Sequence, residues 1–168
     1  LQLDEMASGK FTFVGETVDF GSIDRIEWRR PSEGKHNLLW RLNLGYMGYT
    51  VPWLSNGNLL DLDRTAGLVR SLQEQNCWNS TGVFKDVWNP YTVSHRLINL
   101  LSGLNLYARA GGNLEAAGVS LILNHCKYAA TYVAINLERD LQFNHLLKNY
   151  VALVVYVTTL EKLPTQWS

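Results

Sequence analysis

A chain of 168 residues with 46% hydrophobic and 18% charged side chains is long enough for one domain with a sizeable core, and too apolar to be disordered. Lysine plus arginine and aspartate plus glutamate each number 15, so no global field recruits nucleic acid or an anionic membrane, and any anionic ligand must be met by local groups. The longest strongly apolar stretch, Tyr150 to Leu160, has about eleven residues where a bilayer crossing needs about twenty, so it reads as a core helix without a membrane span.

The first thirty residues alternate aromatic or branched side chains with polar ones. Phe11 to Gly15 and Thr17 to Gly21 predict short strands joined by turns. Trp40 to Tyr49, rich in aromatics and interrupted by Gly45 and Gly48, predicts either a broken helix or an irregular ligand-lining segment. Helical stretches follow. Leu59 to Gln75 is amphipathic through Leu60, Leu62, Leu68, Val69 and Leu72. Thr92 to Ala110 ends at Gly111-Gly112, and Asn113 to about Arg139 runs long and apolar. His145 to Leu163 is the last helix, stopped by Pro164, with Leu146, Leu147, Tyr150, Val151, Val154 and Val157 spaced as one buried face.

The pattern is mainly α. A short β-like lead over residues 1–35 precedes a helical portion over 36–168, and helical hairpins in series suggest an α-solenoid or (α/α) toroid over a four-helix bundle. No fixed-period repeat of the tetratricopeptide or ankyrin kind is visible. No secretory signal is read in the opening residues. Cys77 and Cys126 lack zinc-like spacing, which leaves buried free thiols as the expectation and a disulfide as the alternative. Asn79-Ser80-Thr81 fits a glycosylation acceptor, a tripeptide too common to carry weight.

Candidate chemistry sits at two helix starts. Asn144 and His145 set an amide beside an imidazole, and together they could hold an anion. Separately, Asn144 reads as an N-cap and His145 as a packed histidine. Upstream, Trp88-Asn89-Pro90-Tyr91 leads through Ser94, His95 and Arg96 to Asn99. Trp88 and Tyr91 offer flat faces that suit sugar rings or a core. Arg96 offers a planar fork for a carboxylate or sulfate, or for an acidic neighbour.

Three segments in order, Leu39 to Tyr46, Trp88 to Asn99, and Asn144 to Asn149, resemble the N-terminal domain of the heparinase II/III-like polysaccharide lyases, and the Phe11 to Gly21 lead resembles the segment before that domain. The resemblance implies an incomplete (α/α) toroid of antiparallel helical hairpins whose cleft binds an acidic polysaccharide, usually followed by a β-sandwich. It also implies β-elimination at a uronate, a periplasmic or secreted bacterial location, and no metal or other cofactor. In such chemistry the uronate carboxylate must be neutralised before the C5 proton can leave. Asn144 and His145 match the family's Asn-His pair for that task, and Trp88, Tyr91, Arg96, Asn99 and Tyr46 become candidate substrate-binding residues. A tyrosine or histidine acts as base.

The chain departs from the family's pattern in having Phe143 and Lys148 where Gly and Glu are common, Leu100 for a common Trp, and Gly45 for a frequent His. These changes are expected to alter the cleft or its substrate. The family's catalytic tyrosine lies past the Asn-His segment, so Ser168 is expected to fall short of the complete set, with the remaining C-terminal part of the same protein as partner. A non-catalytic glycan-binding or exopolysaccharide assembly module is the principal alternative. A helical protein-interaction solenoid is a third.

Overall fold

A computed structural model describes residues 2–29, 37–141 and 144–161, and the protein is mainly helical with one small sheet. A short helix α1 (Leu3–Ala7), which the strand-like lead did not suggest, precedes strands β1 (Lys10–Phe13) and β2 (Glu16–Asp19). The strands pair antiparallel with Phe11 opposite Val18. Val14 and Gly15 between them have φ of 55° and 78°, the positive values a two-residue hairpin turn requires. Gly9, at φ 95°, has no room for a side chain, because a Cβ there would lie 2.5 Å from the backbone of Ser22.

Aromatic packing joins this lead to the helices. Phe11 meets Tyr49 edge-on with ring centroids 5.0 Å apart, and the Trp40 indole donates to the Glu16 carbonyl at 3.0 Å. Trp28 donates to Ser71 Oγ at 3.2 Å, and Gln75 to the Ile26 carbonyl at 2.8 Å. Lead and helices therefore share one hydrophobic cluster. The expected boundary between residues 35 and 36 lies outside the described residues.

The aromatic segment after it is a broken helix. Helix α2 (Asn37–Tyr46) stops where Met47 takes φ 55°, and α3 (Thr50–Leu54) resumes after one turn. Helix α4 (Leu59–Gln75) starts from Asn58, whose side chain accepts from the Leu60 N–H at 2.8 Å. Helix α5 (Pro90–Arg109) has the same device in Asn89, followed by Pro90 at the position where a missing N–H costs nothing. Helices α6 (Ala117–Ile135) and α7 (Asn144–Leu160) complete the order. Helix α6 is shorter at both ends than the apolar run predicted. Pro164, expected to stop the last helix, lies outside the described residues. Helix α5 is central and touches α2, α3, α6 and α7.

The expected face of α4 is buried at Leu62, Leu68, Val69 and Leu72, and one of its residues is corrected: Leu60 is 56% exposed, while Asp61 is buried and paired with Arg64 at 2.7 Å. In α7 the correction is larger. Leu147, Tyr150, Val151, Val154 and Val157 are exposed, whereas Asn149 and Ala152 are buried, with Leu153, Val155 and Tyr156 packed beside the core. Helix α7 is apolar on two sides, and periodicity cannot say which side faces α5. Cys77 is exposed and Cys126 buried, both unbonded, so the expectation of two buried thiols holds for one. Among the described residues no helix is long and apolar enough to cross a membrane.

Candidate functional site

The N-terminal turns of α5 and α7 meet beside the C-terminal end of α2, and this junction gathers the polar and aromatic side chains singled out in the sequence. The Asn89 cap and Pro90 fix the start of α5, which places Tyr91 and His95 one helical turn apart on one side. Tyr46, at the end of α2, stacks on His95 with centroids 4.4 Å apart at 26°. Tyr91 meets the same imidazole edge-on at 4.6 Å and stacks on His145 of α7 at 4.2 Å and 26°. Two tyrosines and two histidines thus form a continuous aromatic row across three helices.

A polar network holds the row from below. His145 Nδ1 lies 3.1 Å from Glu138 Oε1, in the link between α6 and α7. Asn149, fully buried one turn beyond His145, accepts from the Glu138 backbone N–H at 3.0 Å. Its amide nitrogen donates to Glu138 Oε2 at 3.2 Å and to Ser94 Oγ at 3.0 Å. On the α2 side, Asn99 donates to the Tyr46 carbonyl at 2.8 Å.

Burial, then the charges of Lys148 and His145, pushes the His95 imidazole down to about 4, so His95 is neutral at physiological pH. Burial, then the neighbouring Tyr91, raises the Tyr46 phenol to about 12, which keeps it a hydroxyl donor and a poor base.

The expected site residues divide. His145, Tyr91 and Tyr46 belong to the row, and Asn99 steadies the backbone beneath Tyr46. Asn144 is the first residue of α7 and is exposed. The expectation for Arg96 is corrected. Its guanidinium is fully buried, with Nε on His125 Nε2 at 3.2 Å and the other nitrogens on the Gly45 and Val87 carbonyls at 3.3 and 3.1 Å. It lies over the Trp88 ring at 5.3 Å, and burial pushes it down to about 10. Each of its three nitrogens is bonded to a core group and none of its surface is exposed, so no solvent-borne anion reaches it.

Trp88 is likewise 4% exposed, its indole donating to the Asn76 carbonyl at 2.9 Å. One edge borders a separate cleft of about 280 Å³ with Trp78, Tyr128, Gln73, Asn76 and Cys77, which includes no member of the aromatic row.

His95, Glu138, Ser94 and Asn149 were given no role from the sequence. Asn149 follows His145 by four residues and His95 follows Tyr91 by four, a same-face spacing that could have flagged both. Glu138 carries no local signal, because only the return of the chain after α6 brings it to His145.

Asn149→Ala removes the acceptor of the Glu138 N–H and the donor to Ser94, both in the interior. It is expected to lower unfolding stability by about 2–3 kcal/mol in urea titration, as loss of paired buried groups does. A change under about 0.5 kcal/mol, the range of an exposed polar substitution, would refute the network.

Among the described residues no group of three or more histidine, cysteine or acidic side chains is placed to hold a metal ion. Comparison with protein-family models, with curated proteins and with solved structures finds no match for this chain.

Proposed function

We propose that the chain is the N-terminal helical part of a heparinase II/III-like polysaccharide lyase that cleaves uronate-containing chains by β-elimination. The observation that carries this reading is convergence. The segments 39–46, 88–99 and 144–149, far apart in the chain and the ones on which the proposed resemblance rests, meet through the Asn99 to Tyr46 bond, the Tyr91 and His145 stack and the Asn149 to Ser94 bond.

On this reading Asn144 and His145 engage the uronate carboxylate, while Tyr91 and Tyr46 present ring faces and a hydroxyl to the sugar. Lys148, close enough to depress His95, adds a cation where the family commonly has an acid, which suits an anionic chain. The exposed stripe on α7 also supports a continuing helical array, because one more helix laid there would bury it.

The test is the full-length protein on uronate polysaccharides such as heparan and alginate, followed by the ultraviolet absorbance of the unsaturated product. Asn144→Ala and His145→Ala are each expected to lower turnover on the order of 10²-fold or more, with Tm nearly unchanged for the exposed Asn144 and lowered by a few degrees for His145, which leaves Glu138 without its ring partner. No product from any such chain, or equal loss of folding in both variants, would overturn the reading.

A non-catalytic glycan-binding or exopolysaccharide assembly module is favoured by one observation. The tyrosine stacked on His95, Tyr46, is held protonated by burial, so the junction is better equipped to bind than to abstract. Glycan affinity retained without any elimination product would select that module.

A further inference from the structure

We propose that Glu138 is a positioning residue that holds a proton on His145 Nδ1 and so makes Nε2 the nitrogen through which this histidine meets a ligand. What this means for elimination rests on the lyase reading above; the proton assignment itself does not.

The orientation of each group follows from its neighbours. The Glu138 backbone N–H can only donate, so the Asn149 atom facing it at 3.0 Å is the carbonyl oxygen. That fixes the Asn149 amide nitrogen on the other side, where it donates to Glu138 Oε2 at 3.2 Å and Ser94 Oγ at 3.0 Å. The remaining carboxylate oxygen, Oε1, lies 3.1 Å from His145 Nδ1. An ionised carboxylate only accepts, so Nδ1 must carry the hydrogen.

The Glu138 side chain is 9% exposed and that of His145 39%, so the acid is enclosed while the ring keeps open surface. One ring face is covered by Tyr91. In the neutral and the protonated ring alike, Nδ1 keeps its proton on Glu138. Only Nε2 can then exchange a proton with a ligand or donate to it.

The same geometry dictates what an isosteric change does. In Glu138→Gln, the Asn149 donor demands the carbonyl oxygen of the substituted amide at the position of Oε2. The new NH₂ group then faces His145 Nδ1, which must become an acceptor, and the neutral ring moves its proton to Nε2. A substitution that keeps shape and packing thus inverts the chemistry of the exposed nitrogen.

The test is ¹⁵N NMR of the histidine ring nitrogens at about pH 8.5, above the ordinary imidazole range. The His145 signals are assigned by their loss in His145→Gln. In the native chain Nδ1 is expected to be the protonated nitrogen, and in Glu138→Gln Nε2. On the lyase reading the native ring can donate to the uronate carboxylate through Nε2 only after taking up a proton, whereas the neutral Glu138→Gln ring already carries Nε2–H. The kcat/KM of the full-length protein is therefore expected to fall with rising pH above the ordinary imidazole range in the native chain and to stay level in Glu138→Gln.

A native ring protonated on Nε2, or one whose tautomer is the same in both proteins, would overturn the proposal. Should Glu138→Gln not fold, the native spectrum alone decides between the tautomers. Absence of any elimination product would sink the lyase reading and leave the tautomer result standing.

Discussion

Arg96→Ala is expected to unfold the protein well before it reveals any loss of ligand affinity. The substitution strips hydrogen bonds from His125 and from the Gly45 and Val87 carbonyls, and takes a cation from the face of Trp88, all within the interior. Buried acceptors left unpaired cost about 1–3 kcal/mol each, and the cavity adds to this, so a total of about 4 kcal/mol or more is expected. For a chain of this size that lowers Tm by about 8–16 °C in a thermal scan. A variant with native Tm and weakened binding of an acidic polysaccharide would mean that the guanidinium faces the ligand after all.

Acid is expected to destabilise the fold through its histidines before most carboxylates titrate. Arg96 donates to His125 Nε2, so that nitrogen is unprotonated, and a proton added there would set two cations side by side in the core. Burial first, and then Arg96, holds His125 well below its ordinary 6.5. Burial, then Lys148 and His145, holds His95 at about 4.

Both folded-state values are depressed, so the unfolded chain binds more protons, and stability rises with pH through this window. It is fully present above about 6.5 and falls as pH drops toward about 4, where His95 itself titrates when folded. A fully buried histidine contributes a slope of up to about 1.4 kcal/mol per pH unit. The half-exposed His95 contributes less, because solvent screens it.

Tm measured from pH 7 to 5 is expected to fall steadily in the native protein. It should fall more gently in His125→Gln, whose carbonyl can accept from Arg96 without titrating. Parallel slopes in the two proteins would show that His125 is not the group responsible.

The strands of the lead and the approximate extents of α4, α5 and α7 were legible because each rests on neighbouring residues. The caps at Asn58 and Asn89 were not read although they lie just before their helices, and in the hairpin turn Gly15 takes positive φ freely while the β-branched Val14 takes φ 55° against its own preference. The candidate site was legible in part. Tyr91 and His145 could be named, but not their mutual stacking, and Glu138 had no pattern to betray it.

The same limit explains the errors. An arginine in a helix start resembles an anion-binding fork until the carbonyls that consume it are known. The apolar stripe of α7 marks a helix, yet not the side on which α5 lies. Composition and periodicity by themselves determined that this chain is a mainly helical protein with a strand-like lead and no apolar run long enough to span a bilayer, because these follow from side-chain volume, polarity and spacing along the chain. Tertiary structure alone decided that Arg96 and Trp88 belong to the core, that Asn149 is the buried face of α7, and that Glu138 sits against His145. Those facts depend on groups brought together from distant positions, and no local property of the chain encodes which partner arrives.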